Sequence, residues 1–314
     1  MQVDASSYAV SCEITPLVHA PHPCQINCAA ATKNMKWVLT GGDDGFIRKY
    51  DFFASMNGKL HMAGLQTQAH SDAIHYGGVL LSAWDNAEQP PSPVFDPKIS
   101  AVHALDVHSD GVWCVTGLDR GCINLWSVRH NEGSCQHVFD YHRSLVSVIK
   151  ITPDQKHLMS ASSDKSIVLW DLNTGQIPRQ YTGATSQIAS IQMQADVMVL
   201  IATIDGALLI YDVRTLAPVK KLISPDSPPW TQCACWGIDG NRVYSGRRNG
   251  SVDEWHVGKE ERIRRLHLPS NSGPVSSVLA IPGSKHLLCA SQDNVRLWDL
   301  NHPVFWFYPY YHTG

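Results

Sequence analysis

Residues 157–170, HLMSASSDKSIVLW, hold two short strands around a tight turn: an apolar run to Ser162, the turn Asp164-Lys165, and a second apolar run ending on Trp170. The same phrase stands at Trp37–Tyr50 (WVLTGGDDGFIRKY), Val112–Trp126 (VWCVTGLDRGCINLW), Met198–Tyr211 (MVLIATIDGALLIY), Arg242–Trp255 (RVYSGRRNGSVDEW) and His286–Trp298 (HLLCASQDNVRLW). The closing aromatics fall at 50, 126, 170, 211, 255 and 298, intervals of 76, 44, 41, 44 and 43 residues. A repeat of about 40 to 45 residues with four short strands per unit is the signature of a WD-repeat β-propeller. The expected fold is therefore all-β, one propeller domain over residues 1–314.

The first interval does not fit a simple count, being 32 residues longer than a 44-residue repeat. Within it, Gly78–Trp84 (GVLLSAW) reads as a strand and Gln89–Pro97 as a Pro-rich loop. The favoured reading is seven blades, one of them irregular and lying with that loop at about residues 60–97; six blades with a long insertion is the alternative. Tyr8, Val10, Cys12 and Ile14 alternate as a strand, which would complete the last blade and leave no open sheet edge. The aromatic tail Val304–Tyr311 reads as a closing or capping segment, with an exposed docking strip as the other possibility.

One repeat holds all four members of a buried hydrogen-bond chain typical of this repeat class: His142, Ser160, Asp164 and Trp170. His, Ser and Asp together also suggest nucleophilic catalysis, but the spacing is that of a blade's structural network, in which satisfied polar groups stiffen the unit. No GxxxxGK[ST], HExxH or GxSxG sequence occurs. The expectation is no catalytic residue, no cofactor and no metal.

Charged residues make up 17% and hydrophobic residues 44%, with net charge −3, which fits a folded core and offers no basic stripe for sequence-specific nucleic-acid binding. Nine scattered cysteines read as reduced thiols of an intracellular protein. No apolar run approaches the roughly 18 residues that cross a bilayer, so no membrane partner is expected. Positive charge gathers at Lys220-Lys221, at Arg247-Arg248 and at Arg262, Arg264 and Arg265, the last three read as a charge-protected outer strand. Candidate partner-binding residues are Arg247, Arg248, Trp230 and Trp306.

Three stretches are more specific than the repeat: GGDDGFIRKYDF with the following NGK at Gly41–Lys59, GVLLSAWDN at Gly78–Asn86, and KISAVHALDVHSDGVWCVTGLDRGCINLWSVRHNEGSCQHVF at Lys98–Phe139. Together they resemble the WD-repeat subunit of the fungal SAGA transcription coactivator, in the suppressor-of-Ty group that engages TATA-binding protein. The resemblance implies a nuclear, non-enzymatic scaffold, monomeric within a hetero-complex, that binds TATA-binding protein and other SAGA subunits and helps deliver the former to promoters. It also implies an acidic extension before the propeller, which this sequence does not show. The competing reading is a WD-repeat reader of a histone tail or ubiquitin.

Overall fold

The computed structural model describes residues 15–60, 76–88, 98–194, 197–224, 230–283, 285–301 and, for the backbone, 305–307. Among them are six four-stranded sheets, each with the repeat's hairpin at its centre. The chain divides into two compact units, with the division in sequence falling between Gln180 and Tyr181.

In the unit from Thr15, the first blade pairs Ile26–Ala31, Trp37–Gly42, Phe46–Asp51 and Val79–Asp85 in that order. The second runs Leu105–Val107, Trp113–Gly117, Cys122–Ser127 and Cys135–Asp140; the third Val146–Ile151, His157–Ser162, Ile167–Asp171 and Arg179–Tyr181. The strand read as part of an irregular blade is thus the fourth strand of the first blade, with Phe46 opposite Asp85 and Tyr50 opposite Leu80. This corrects the assignment of residues 78–84, and the sheet count among the described residues is that of the six-blade alternative. Backbone pairing decided the point: the third strand has a free edge, and the next β-prone, apolar run takes it.

The extra length is an excursion between the third and fourth strands. Asp51 caps the short helix Phe52–Met56 by accepting the Ala54 N–H at 2.8 Å. Tyr76–Gly77 then returns in parallel beside Val18–His19. Residues 61–75 and 89–97, the remainder of the expected irregular segment, lie outside the described residues, as do Tyr8, Val10, Cys12 and Ile14.

The second unit holds the other three blades: Ile188–Gln194, Met198–Thr203, Ala207–Asp212 and Lys220–Ile223; then Thr231–Trp236, Arg242–Arg247, Ser251–His256 and Glu261–His267; then Val275–Ala280, His286–Ser291, Val295–Asp299 and Phe305–Phe307. The tail strand Phe305–Phe307 pairs with Val295–Asp299, so it supplies the fourth strand of its own blade.

Strands buried on both faces account for the near-continuous apolar runs. Cores form between neighbouring blades: Trp37, Leu39 and Ile47 pack with Val102, Leu105 and Cys114, and Tyr244 and Val252 with Val275, Val278 and Leu287. Glycine sets the approach at three of these seams. A Cβ at Gly41 would lie 2.4 Å from Val102 Cγ1, at Gly117 2.7 Å from Val146 Cβ, and at Gly246 2.6 Å from Val275 Cγ1. A valine at the start of the next blade, or in the case of Val102 just before its first strand, therefore rests on bare backbone.

Candidate interaction surfaces

The four polar residues singled out in the third blade adjoin one another through a fifth. The Trp170 Nε1–H donates to Ser160 Oγ at 2.9 Å, and Ser160 Oγ lies 2.7 Å from His142 Nε2. On the other ring nitrogen, His142 Nδ1 lies 2.5 Å from Ser166 Oγ, whose hydroxyl donates to Asp164. Proton bookkeeping fixes the tautomer: Ser166 spends its hydrogen on Asp164, so Nδ1 must donate to Ser166, leaving Nε2 to accept from Ser160. Burial pushes the His142 pKa down to about 4, against the opposing pull of Asp164, and the imidazole is neutral at pH 7. Ser160 is fully buried, so no substrate carbonyl can reach its oxygen.

Ser166 was not legible as a member because its place in the repeat phrase is held by Phe46 and Ala207 in other copies, so no constant polar residue marks it. The substitutes in other blades were equally hidden. In the first blade His22 Nε2 lies 2.8 Å from Thr40 Oγ1 and 3.3 Å from the Tyr50 hydroxyl. In the second, Thr116 accepts from Trp126 Nε1 at 2.8 Å and donates to the buried Asn86 at 2.7 Å. Each hydroxyl beneath an aromatic has found a partner, but from a loop whose length differs from blade to blade.

Two cavities adjoin these networks. One, of about 250 Å³, has apolar walls from Val18, Val38, Phe52 and Met56 beside Thr40 and Tyr50. The helix of the first blade's excursion lines it through Phe52, Ser55 and Met56, and the sheet through Val38, Thr40 and Tyr50. The other, of about 270 Å³, is polar and open, between Tyr141, Arg143, Asp164 and Ser166.

The residues read as partner contacts separate in the structure. Arg247 is withdrawn from any surface: it is 2% exposed, donates from Nη1 to Ser224 Oγ at 2.9 Å, and meets Asp253 at 3.0 Å. A buried acid on the next strand captures it, which corrects its candidacy. Arg248, beside it, is exposed and lies 4.6 Å over the ring of Trp230, itself 42% exposed, while its backbone N–H donates to the Trp230 carbonyl. Two candidates 18 positions apart thus form one cation–π pair at the surface. The Trp306 backbone lies opposite Leu297, and its side chain is outside the described residues.

The arginines of the outer strand in the fifth blade are engaged within the sheet. Asp253 and Glu254, 1% and 0% exposed, stand opposite Arg265 and Arg264 in register. Arg265 grips Asp253 in a fork at 2.6 and 3.0 Å, and Glu254 takes Arg264 and, at 2.8 Å, Arg242. Charge protection of an edge was the expected role; neutralising two buried acids is the observed one. Among the described residues no three His, Cys, Asp or Glu side chains converge as metal ligands, and no helix is long and apolar enough to cross a membrane.

Comparison with known proteins places these features in a lineage. The family model described as the SPT8 beta propeller matches residues 12–198 and 193–312. SAGA complex subunit Spt8 of Schizosaccharomyces pombe is 32% identical over 96% of this chain and 72% of its own length; SAGA complex subunit SPT8 of Saccharomyces cerevisiae is 30% identical over 95% of this chain and 64% of its own. The SIR4-interacting protein SIF2 of Saccharomyces cerevisiae is 23% identical over 61% of this chain and 37% of its own length. With the family model covering nearly all of the blades just described, this chain belongs to the SPT8 beta-propeller family.

Proposed function

We propose that this chain is a non-enzymatic interaction scaffold of a SAGA-type coactivator in the nucleus, monomeric within a hetero-complex, which binds TATA-binding protein and helps deliver it to promoters. The observation that carries the reading is similarity to two SAGA subunits over at least 95% of the chain. Physical features support a binding role. Stiff four-stranded blades with satisfied internal polar chains lose little freedom when a partner docks, so contact energy is not spent on ordering the scaffold. Exposed Trp and Arg are the residue types that concentrate binding energy at protein interfaces, and Trp230 with Arg248 is such a pair.

Retention of TATA-binding protein on the immobilised chain, with other SAGA subunits present, tests the reading. Retention without nucleotide, metal or DNA is the expected result, weakened about tenfold or more by Trp230→Ala with Arg248→Glu. Loss of retention by the unaltered chain would refute it. The alternative of a histone-tail or ubiquitin reader would draw on the pocket of Tyr141 and Asp164, but Arg143 in the same pocket repels the cationic side chain such a site would take.

A further inference from the structure

Where the first and second blades meet, one buried aromatic ring is surrounded by three cations. Trp37, 8% exposed, has Lys49 Nζ 4.2 Å, Lys36 Nζ 4.9 Å and the Arg129 guanidinium 5.8 Å from its centroid. Lys49 is itself buried and spoken for: it donates to the Val128 carbonyl at 3.1 Å and pairs with Glu132. Lys36 and Arg129 are exposed, and so is Lys33, whose backbone N–H donates to the Ser109 carbonyl at 3.0 Å and ties its turn to the second blade. Among the described residues none of these three exposed cations forms an ion pair, although the chain as a whole carries net charge −3. The acids nearby do not neutralise them, since Glu132 serves Lys49 and Asp110 holds Arg129 only through its backbone carbonyl at 2.8 Å.

Two apolar side chains complete the surface. Met35 is 42% and Val112 41% exposed; the first sits at the apex of the Lys33–Lys36 turn, and the carbonyl of the second accepts the Arg129 N–H. We propose that this surface binds an acidic peptide segment of a partner, one that carries large apolar residues among its carboxylates. Charge complementarity selects the carboxylates, and Met35 and Val112 offer the apolar contact that phosphates of a nucleic acid would leave unused. Stacking on a fixed ring restrains Lys36 and Arg129 before a partner arrives, so fewer rotamers are lost on binding. The surface is built from different residues than the Trp230–Arg248 pair and stands whether or not that pair contacts TATA-binding protein.

Anisotropy of a labelled synthetic peptide in which Glu-Asp pairs alternate with Leu gives the test. The full chain is expected to bind it, more weakly as salt shortens the Debye length from about 10 Å at 0.1 M. The triple variant Lys33→Glu, Lys36→Glu, Arg129→Glu should bind at least about tenfold more weakly, with the thermal unfolding midpoint unchanged because all three side chains are exposed. Should that variant fail to fold, Lys36→Gln with Arg129→Gln provides the same comparison. Replacing the peptide carboxylates by amides should abolish binding, and Arg248→Glu should leave it unaltered. Equal affinity in the triple variant, equal binding of the amide peptide, or tighter binding of duplex DNA through the same three residues would overturn the proposal.

Discussion

The first and fifth blades carry opposite charges at the same two places of the third strand. Phe46–Asp51 reads FIRKYD and Ser251–His256 reads SVDEWH, so Arg48-Lys49 in one stands where Asp253-Glu254 stands in the other. In the fifth blade the acids are answered within their own sheet by arginines from the second and fourth strands. In the first blade Arg48 turns back to Asp44 in the preceding turn, while Lys49 leaves the blade for Glu132 and the Val128 carbonyl in the next. The blade architecture is indifferent to the sign of the charge. It requires only that each buried ion be paired, and where the partner lies decides whether a blade is self-contained or bolted to its neighbour.

The largest effect is expected from Asp253→Ala, which removes the buried carboxylate that Arg247, 2% exposed, meets at 3.0 Å. Breaking a buried pair from one side costs about 3–5 kcal/mol, measured as the shift in urea midpoint; a cost near that of an exposed pair would erase the contrast between the blades. The third blade, whose buried histidine is uncharged at neutral pH, offers a reference. Its His142 has a folded pKa of about 4 against an ordinary 6.5, so the unfolded chain protonates first as pH falls. Stability from this residue is complete above pH 6.5, declines between 6.5 and 4, and amounts at most to about 3 kcal/mol. His142→Asn, which mimics the role of Asn86, should flatten the dependence of the unfolding midpoint on pH between 6.5 and 4.5, and an unchanged slope would exclude His142 as its source.

Smaller effects probe what the two blades share. Gly41→Ala and Gly246→Ala each push a methyl group into the following blade's valine and are expected to cost about 1–3 kcal/mol apiece; a marked difference between them would show that the seams are unlike. Least disruptive should be Lys49→Met, at about 1 kcal/mol or less, because Glu132 keeps a side chain 35% exposed and can return to water. A loss as large as that of Asp253→Ala would mean that the bolt between blades matters as much as the internal network.

Much of the fold was legible. The spacing of Tyr50, Trp126, Trp170, Tyr211, Trp255 and Trp298 located every hairpin, because two-fold alternation and an Asp or Asn turn are local requirements of the strand pair. The role of Val79–Asp85 was not, since a β-prone run carries no mark of which edge it will join. The same limit governs the sites. Trp230 and Arg248 could be named singly as exposed candidates, yet their stacking depends on a backbone contact between residues 18 positions apart. Arg247, one position earlier on the alternating strand, points to the opposite side and into Asp253.

By itself, then, the sequence determined the repeating hairpin, its turns and its closing aromatic, all of which rest on interactions among residues close along the chain. Tertiary structure alone decided which strand closed the first blade, that Ser166, His22 and Asn86 complete polar chains in three different ways, and that Lys36 and Arg129 meet over Trp37. Most of those outcomes depend on partners 18 or more positions away, and burial penalises a polar group that is left unpaired.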